Sequence, residues 1–143
     1  MLSAAGCTTD PVKAKARYAH PGESSQLSNL DPCASRLHDI CGPLLLYYAT
    51  NHHLPDSLHE LRQVAGFDEV EYRCPVSGLP YVYTSRGMPA PNQPGGRIII
   101  YDAAASHQGL RWAVSIVEPV ENPGGALITK VLAVPDSYFS KSQ

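Results

Sequence analysis

The chain has 143 residues and a mass of 15.4 kDa, which fits one domain, since chains divide into separate cores only beyond roughly 250 residues. Apolar residues make up 43% and charged residues 17%, so the chain can build a core and carries too little charge to be disordered throughout. Eleven basic and thirteen acidic side chains give a formal charge of -2 with no basic stripe, which argues against a nucleic-acid partner.

Residues 1–29 predict a flexible tether, because they show neither helical nor strand periodicity. Small residues and Gly6 stand directly before Cys7, an order that resembles the lipobox of bacterial lipoproteins. The resemblance implies lipidation of Cys7, membrane contact only through that lipid, and an extracytoplasmic (periplasmic or membrane-anchored) location. Residues 1–6 lack the charged start and apolar stretch of a secretory signal, so a cytoplasmic location is the prediction if Met1 is the true start.

A long helix is predicted from Asp31-Pro32, since Asp can cap a helix and Pro suits its first turn. The apolar residues that follow recur at helical spacing: Leu37, Cys41, Leu44 and Tyr48, with Leu30 before them and Cys33 beside them. A second, shorter helix is predicted before Gly66.

After Gly66 the apolar period changes to that of strands, which we predict at residues 72–74, 79–84, 97–102, 110–118 and 126–134. In the fourth segment, Leu110, Trp112, Val114 and Ile116 should face the long helix. Helices followed by antiparallel strands predict one α+β domain over residues 30–139, with residues 140–143 as a disordered tail.

The order of these segments resembles the soluble head of pilin-like proteins, above all the type II secretion pseudopilins. The resemblance rests on LLYYA at 45–49, NHHLPDSLHEL at 51–61 and CPVSGLPYVY at 74–83. It implies a long helix and a short helix packed on a small antiparallel sheet. It also implies a non-enzymatic module that works through protein contacts, with envelope or secretion components as partners.

Tyrosine is the candidate recognition residue, with eight copies in the chain. Tyr81 and Tyr83 should share one strand face with Tyr101 nearby, and we predict that these rings bind a protein partner. The alternative is that they cover the seam between helix and sheet.

The cysteines predict one possible disulfide. Cys33 and Cys41 are eight residues apart, which on a helix separates them by roughly 12 Å of rise, so they cannot bridge each other. Cys74 could meet either one, and we predict Cys41 because it shares the core-facing stripe. Cys33 is then a small buried apolar residue.

Two sets of residues indicate the alternative function, a small metal-binding or hydrolytic domain. His38, Cys41 and Cys74 could bind a metal, although the chain lacks the closely paired cysteines of zinc sites. Asp102, Ser106 and His107 could form a hydrolytic site, although the serine lacks the strained elbow of acyl-transfer enzymes. We therefore predict no catalytic residue, no metal and no cofactor.

Overall fold

The computed structural model describes residues 31–120 and 125–141 of the chain. The predicted tether at 1–29, with Cys7 in it, lies outside the described residues, as does the first residue of the predicted domain. Within the described ranges, no helix is both long enough and apolar enough to cross a bilayer.

Helix α1 spans Pro32–Asn51. Asp31 caps it as predicted, because its Oδ1 accepts a hydrogen bond from the Cys33 amide at 2.8 Å. The helix ends at His52, whose backbone is left-handed (φ 62) and whose amide donates to the Tyr48 carbonyl. A 3-10 helix, Leu58–Gln63, follows.

Within the described residues the sheet has four antiparallel strands, and each strand pairs with its neighbour in sequence. The structure therefore confirms a mixed α+β fold with an antiparallel sheet. The prediction of a strand at 72–74 was wrong, because that segment makes only an isolated bridge between Arg73 and Pro80. The strands are β1 (Val82–Pro89), β2 (Arg97–Tyr101), β3 (Leu110–Val117) and β4 (Ile128–Pro135).

The main core lies between α1 and one face of the sheet, where α1 contacts β3 and β4. Trp112, Val114 and Ile116 point into this core as predicted, whereas Leu110 is exposed at the end of its strand. The helix contributes the following buried residues: Cys33, Ala34, Leu37, Ile40, Cys41, Leu44 and Tyr48.

The opposite face of the sheet is covered by a short helix α2, Asp136–Lys141, which the sequence analysis did not predict. Phe139 of this helix is 2% exposed and belongs to a second cluster with Ile98 and Val134. The prediction of a disordered tail at 140–143 was therefore wrong for residues 140 and 141, which continue the helix. Residues 142 and 143 lie outside the described residues.

We expect Leu37→Ala and Leu44→Ala each to lower the free energy of unfolding by about 2–5 kcal/mol. Both side chains are fully buried between α1 and the sheet, so truncation removes contacts and leaves a cavity. Leu46→Ala is the matched control, because Leu46 is 47% exposed on the same helix and should change stability by less than about 0.5 kcal/mol. Denaturant unfolding measures all three, and equal losses would contradict this packing.

Candidate metal centre

Four side chains with metal-binding chemistry meet at one end of α1. The donor atoms of Cys33, Cys74, Asp102 and His107 all lie within 4.8 Å of one another. Cys33 belongs to the first turn of α1, Cys74 to the segment before β1, Asp102 to the end of β2, and His107 to the loop between β2 and β3. The fold thus brings four separate parts of the chain to a single point.

Local backbone structure places the two sulfurs. The Asp31 cap fixes the first turn of α1, on which Cys33 is carried. Cys74 opens a tight turn, in which the Gly78 amide donates to the Cys74 carbonyl at 2.8 Å, and Gly78 has the positive φ of 75 that suits glycine. In the same turn the Val76 amide donates to Cys74 Sγ at 3.4 Å. Each sulfur is therefore held by a local turn of the chain.

Asp102 is held against β3 by its neighbour across the sheet. Its backbone amide donates to the Trp112 carbonyl at 3.0 Å, and its Oδ2 accepts from the Trp112 amide at 2.9 Å. The side chain is 0% exposed, and its Oδ2 lies 3.2 Å from His107 Nε2. Burying a carboxylate is costly unless a cation compensates it, so this position favours a bound cation.

His107 is oriented by a second carboxylate. Its Nδ1 lies 3.1 Å from Asp31 Oδ2, and its Nε2 lies 3.5 Å from Cys74 Sγ. Burial opposes ionisation of Asp31, yet hydrogen bonds from the Trp112 side chain and the Cys33 amide, together with His107, hold the pKa of this carboxyl below its usual value. An ionised Asp31 accepts the Nδ1 proton and leaves Nε2 as a lone-pair donor. Metal-binding histidines are commonly oriented by a carboxylate in this way.

Cys33 Sγ lies next to both carboxylate oxygens of Asp102, at 3.3 and 3.5 Å, and 3.0 Å from the Tyr81 hydroxyl. Burial raises the pKa of the Cys33 thiol, the Tyr81 hydroxyl lowers it in part, and the Asp102 carboxylate raises it further. On its own this sulfur therefore keeps its proton at neutral pH. It becomes a thiolate ligand only when a cation takes the place of that proton.

Three of the separations between donor atoms are close to those expected around a four-coordinate zinc ion. With bonds of about 2.3 Å to sulfur and about 2.0–2.1 Å to nitrogen or oxygen, tetrahedral geometry separates neighbouring ligand atoms by roughly 3.3–3.8 Å. Three of the donor pairs lie close to this range, at 3.5 Å between Cys74 and His107, 3.3 Å between Cys33 and Asp102, and 3.2 Å between His107 and Asp102, and all four donors lie within 4.8 Å of one another. Two thiols, one imidazole and one carboxylate form a donor set that suits zinc.

The structure does not assemble the metal set predicted from the sequence. His38 is exposed on α1, and Cys41 is buried in the core, where burial raises the pKa of its thiol to about 11. The predicted disulfide between Cys41 and Cys74 is also not formed, because both are free thiols. Cys74 lies beside the first turn of α1, and Cys41 is two helical turns further along, roughly 12 Å away in rise. Cys74 therefore meets Cys33.

The hydrolytic set is brought together only in part. Asp102 contacts His107 as that hypothesis requires, but the Ser106 hydroxyl is buried and has no hydrogen-bond partner in the described part of the chain. Both nitrogens of His107 face other groups, Asp31 on one side and Asp102 with Cys74 on the other. Because no base among the described residues contacts the serine hydroxyl, the structure does not support Ser106 as a nucleophile.

The tyrosines predicted to bind a partner all make packing contacts within the domain. Tyr81 is 6% exposed and its hydroxyl contacts Cys33, so this ring lies in the core of the domain. Tyr83 is half-buried against the main core and donates to the Pro55 carbonyl at 2.5 Å. Tyr101 packs on Phe139, with ring centroids 4.8 Å apart. Tyr81 and Tyr83 therefore pack between the helix and the sheet, as the alternative interpretation of these rings expected.

Sequence reasoning missed Cys33 as a ligand and treated it as a small apolar residue. Sequence separation hides the site, because Cys33 and Asp102 are 69 residues apart and Cys74 and His107 are 33 apart. One usable signal was the tight Cys-Pro-Val-Ser-Gly turn at 74–78, which aims a backbone amide at a sulfur.

No family model matches the chain, and neither a curated protein nor a solved structure matches it. The chemistry assigned to the four donors therefore rests on their own distances, burial and hydrogen bonds. Those observations are specific enough to support a testable function.

Proposed function

We propose that the chain is a small metal-binding domain that holds one divalent cation of the zinc class through Cys33, Cys74, Asp102 and His107. The observation that carries this proposal is the convergence of four donor atoms, from four separate segments, within 4.8 Å of one another, with a donor set that suits zinc. This proposal differs from the sequence-based prediction, which was that the chain binds no metal.

The role that fits the site is structural. Cys33, Cys74 and Asp102 are 0% exposed, and the His107 side chain is 7% exposed, so the four ligands enclose the ion and leave no open position for a substrate. Such an ion joins the first turn of α1 to the end of β2 and to the turn before β1. When bound, it neutralises the buried carboxylate and holds both sulfurs as thiolates.

Outer hydrogen bonds complete the site. The Val76 amide points at Cys74 Sγ, the Trp112 amide at Asp102 Oδ2, and the Tyr81 hydroxyl lies beside Cys33 Sγ. Two thiolates and one carboxylate carry more negative charge than a divalent cation carries positive charge. These neighbours stabilise that excess, and outer groups of this kind tune metal affinity.

Metal content separates this proposal from simple burial of cysteines. Zinc is added to the reduced full-length protein, excess metal is removed by gel filtration, and bound zinc is measured by elemental analysis. We expect one zinc per chain for the wild type and for Cys41→Ala, and loss of that zinc for Cys74→Ala. Both variants remove a buried thiol, so they are matched, and equal metal content in the two would contradict the proposal.

Asp31→Asn tests the orienting carboxylate. Because Asn caps a helix about as well as Asp, the variant should keep α1 while weakening the hydrogen bond that holds His107. We expect zinc affinity to fall by about 10- to 100-fold. Competition with a chromophoric chelator measures the change. Asp39→Asn, on an exposed position of the same helix, is the control, and the prediction is wrong if both variants bind alike.

We also propose that this metal-stabilised domain is the pilin-like head of a non-enzymatic, extracytoplasmic protein that contacts envelope or secretion components. The supporting observation is that α1 packs along β3 and β4 of a small antiparallel sheet, and the resemblance implies a long helix packed on such a sheet. Membrane attachment is proposed to come from a lipid on Cys7.

Detergent phase separation of the native gene product tests the attachment. We expect the wild type in the detergent phase and Cys7→Ser in the aqueous phase. Equal partition of the two would contradict lipidation while leaving the metal proposal intact.

A further inference from the structure

We infer that Cys33 and Cys74 give the site a second, covalent state: a peroxide-class oxidant joins the two sulfurs in a disulfide and releases the metal. The inference rests on the proposed function, since it concerns the fate of the same two ligands. The two cysteines would then either bind the metal as thiolates or form a disulfide after reaction with the oxidant, and the change between these states is reversible.

The positions of the sulfurs limit the disulfide to this pair among the described cysteines. Their separation is at most 4.8 Å, and a disulfide needs about 2.05 Å, so the sulfurs have to approach by less than about 3 Å. Cys74 stands in a turn outside the four strands, closed by the bridge between Arg73 and Pro80 and by backbone hydrogen bonds of its own, so movement of the turn does not require breaking a pair of strands. Cys41 lies two helical turns away and cannot compete.

The oxidation balances with hydrogen peroxide as the named oxidant. One thiolate attacks peroxide, an S–O bond forms, the O–O bond breaks and hydroxide leaves. The second thiolate then attacks the sulfenic sulfur, the S–S bond forms, the S–O bond breaks and a second hydroxide leaves. The two sulfurs have then lost two electrons in total to the peroxide oxygens. His107 and Asp102 remain as two ligands, too few to retain the cation.

A cavity beside the site offers a small oxidant an approach. It has a volume of about 430 Å³ and is lined by His107, Val76 and Asp31 among others. Val76 is the residue whose amide donates to Cys74 Sγ, so the cavity borders the turn that carries this sulfur. Both sulfurs are themselves 0% exposed, so we expect oxidation to be slower than for a solvent-exposed thiol.

The test treats zinc-loaded full-length protein with hydrogen peroxide and follows released zinc with a chromogenic chelator. The products are then digested without reduction and mapped by mass spectrometry. We expect release of the full equivalent of zinc together with a Cys33–Cys74 linked peptide that has lost two hydrogen atoms. Reductant should restore zinc binding to its starting level, which separates a disulfide from irreversible sulfinic or sulfonic acid. Cys41→Ala should behave as the wild type.

The outcomes distinguish this inference from the proposed function. Zinc uptake without a Cys33–Cys74 link after peroxide, or a link made through Cys41 or Cys7, overturns the inference and leaves the metal site standing. Failure of the reduced protein to take up zinc overturns the proposed function and, with it, the claim of metal release. If the protein takes up no zinc, a Cys33–Cys74 disulfide after peroxide treatment would still support the pairing of the two sulfurs. Absence of that disulfide would overturn the pairing as well.

Discussion

Stripping zinc from the reduced protein with a chelator is expected to lower the free energy of unfolding by about 3–4 kcal/mol, the contribution of a ligand present at about 100 to 1000 times its dissociation constant. The physical reason is that the four ligands converge only in the folded chain, so the ion binds the native state and ties α1 to the sheet.

Chemical denaturation of the zinc-loaded and chelator-treated protein, both under reductant, measures this difference. Cys74→Ala is the control, because a chain that has lost a ligand should unfold at the same denaturant concentration with and without chelator. Superimposable curves for the wild type would show that the cluster contributes nothing through a metal.

Asp102→Asn is expected to weaken zinc binding by about 100-fold or more. Changing a residue that only hydrogen-bonds to a ligand costs about 10- to 100-fold, and Asp102 is itself a proposed ligand. The amide keeps an oxygen that can accept from the Trp112 amide, yet it removes the negative charge that the cation compensates. Without metal, the variant should be as stable as the wild type or more so, since a buried charge has been removed.

Chelator competition and metal-free denaturation together test both halves of this expectation. Asp136→Asn is the matched control, because Asp136 pairs with Arg111 on the surface and is 45% exposed. Unchanged affinity in Asp102→Asn would mean that the carboxylate is not a ligand. A metal-free Asp102→Asn protein much less stable than the wild type would mean that the charge itself holds the fold.

Periodicity explains which parts of the fold could be predicted. The stripe through Leu37 and Leu44 faces the sheet because helical spacing brings those side chains to one face, and the alternation of Trp112, Val114 and Ile116 places them in the same core. Helix α2 was missed because six residues are too few to show a period. Its position depends on Phe139 filling the far face of the sheet, which no local pattern reveals.

The site was harder to predict because a contact with the helix depends both on the side of the helix that a residue occupies and on its position along the helix axis. Cys41 was expected to meet Cys74 because it lies on the core-facing side of the helix. Cys74, however, lies beside the first turn of the helix, where Cys33 is, and Cys41 is two turns further along. Asp102 and His107 were recognised as a pair, yet as parts of a serine site. Only the folded chain shows that the pair faces two sulfurs.

Asp31 links the fold to the site. Its carboxylate caps α1 through the Cys33 amide and lies 3.1 Å from His107 Nδ1, so one side chain contacts both the turn that carries a sulfur and the ring that carries a nitrogen. Helix initiation and ligand orientation therefore depend on the same group. This connection explains why the donors gather at the start of α1.

X-ray absorption at the zinc edge of the zinc-loaded, reduced protein tests the central claim most directly, because it reports the atoms bound to the ion. The four-residue site predicts two sulfur neighbours at about 2.3 Å and two nitrogen or oxygen neighbours at about 2.0–2.1 Å. A shell made only of nitrogen and oxygen would contradict it, since zinc would then be bound elsewhere on the chain.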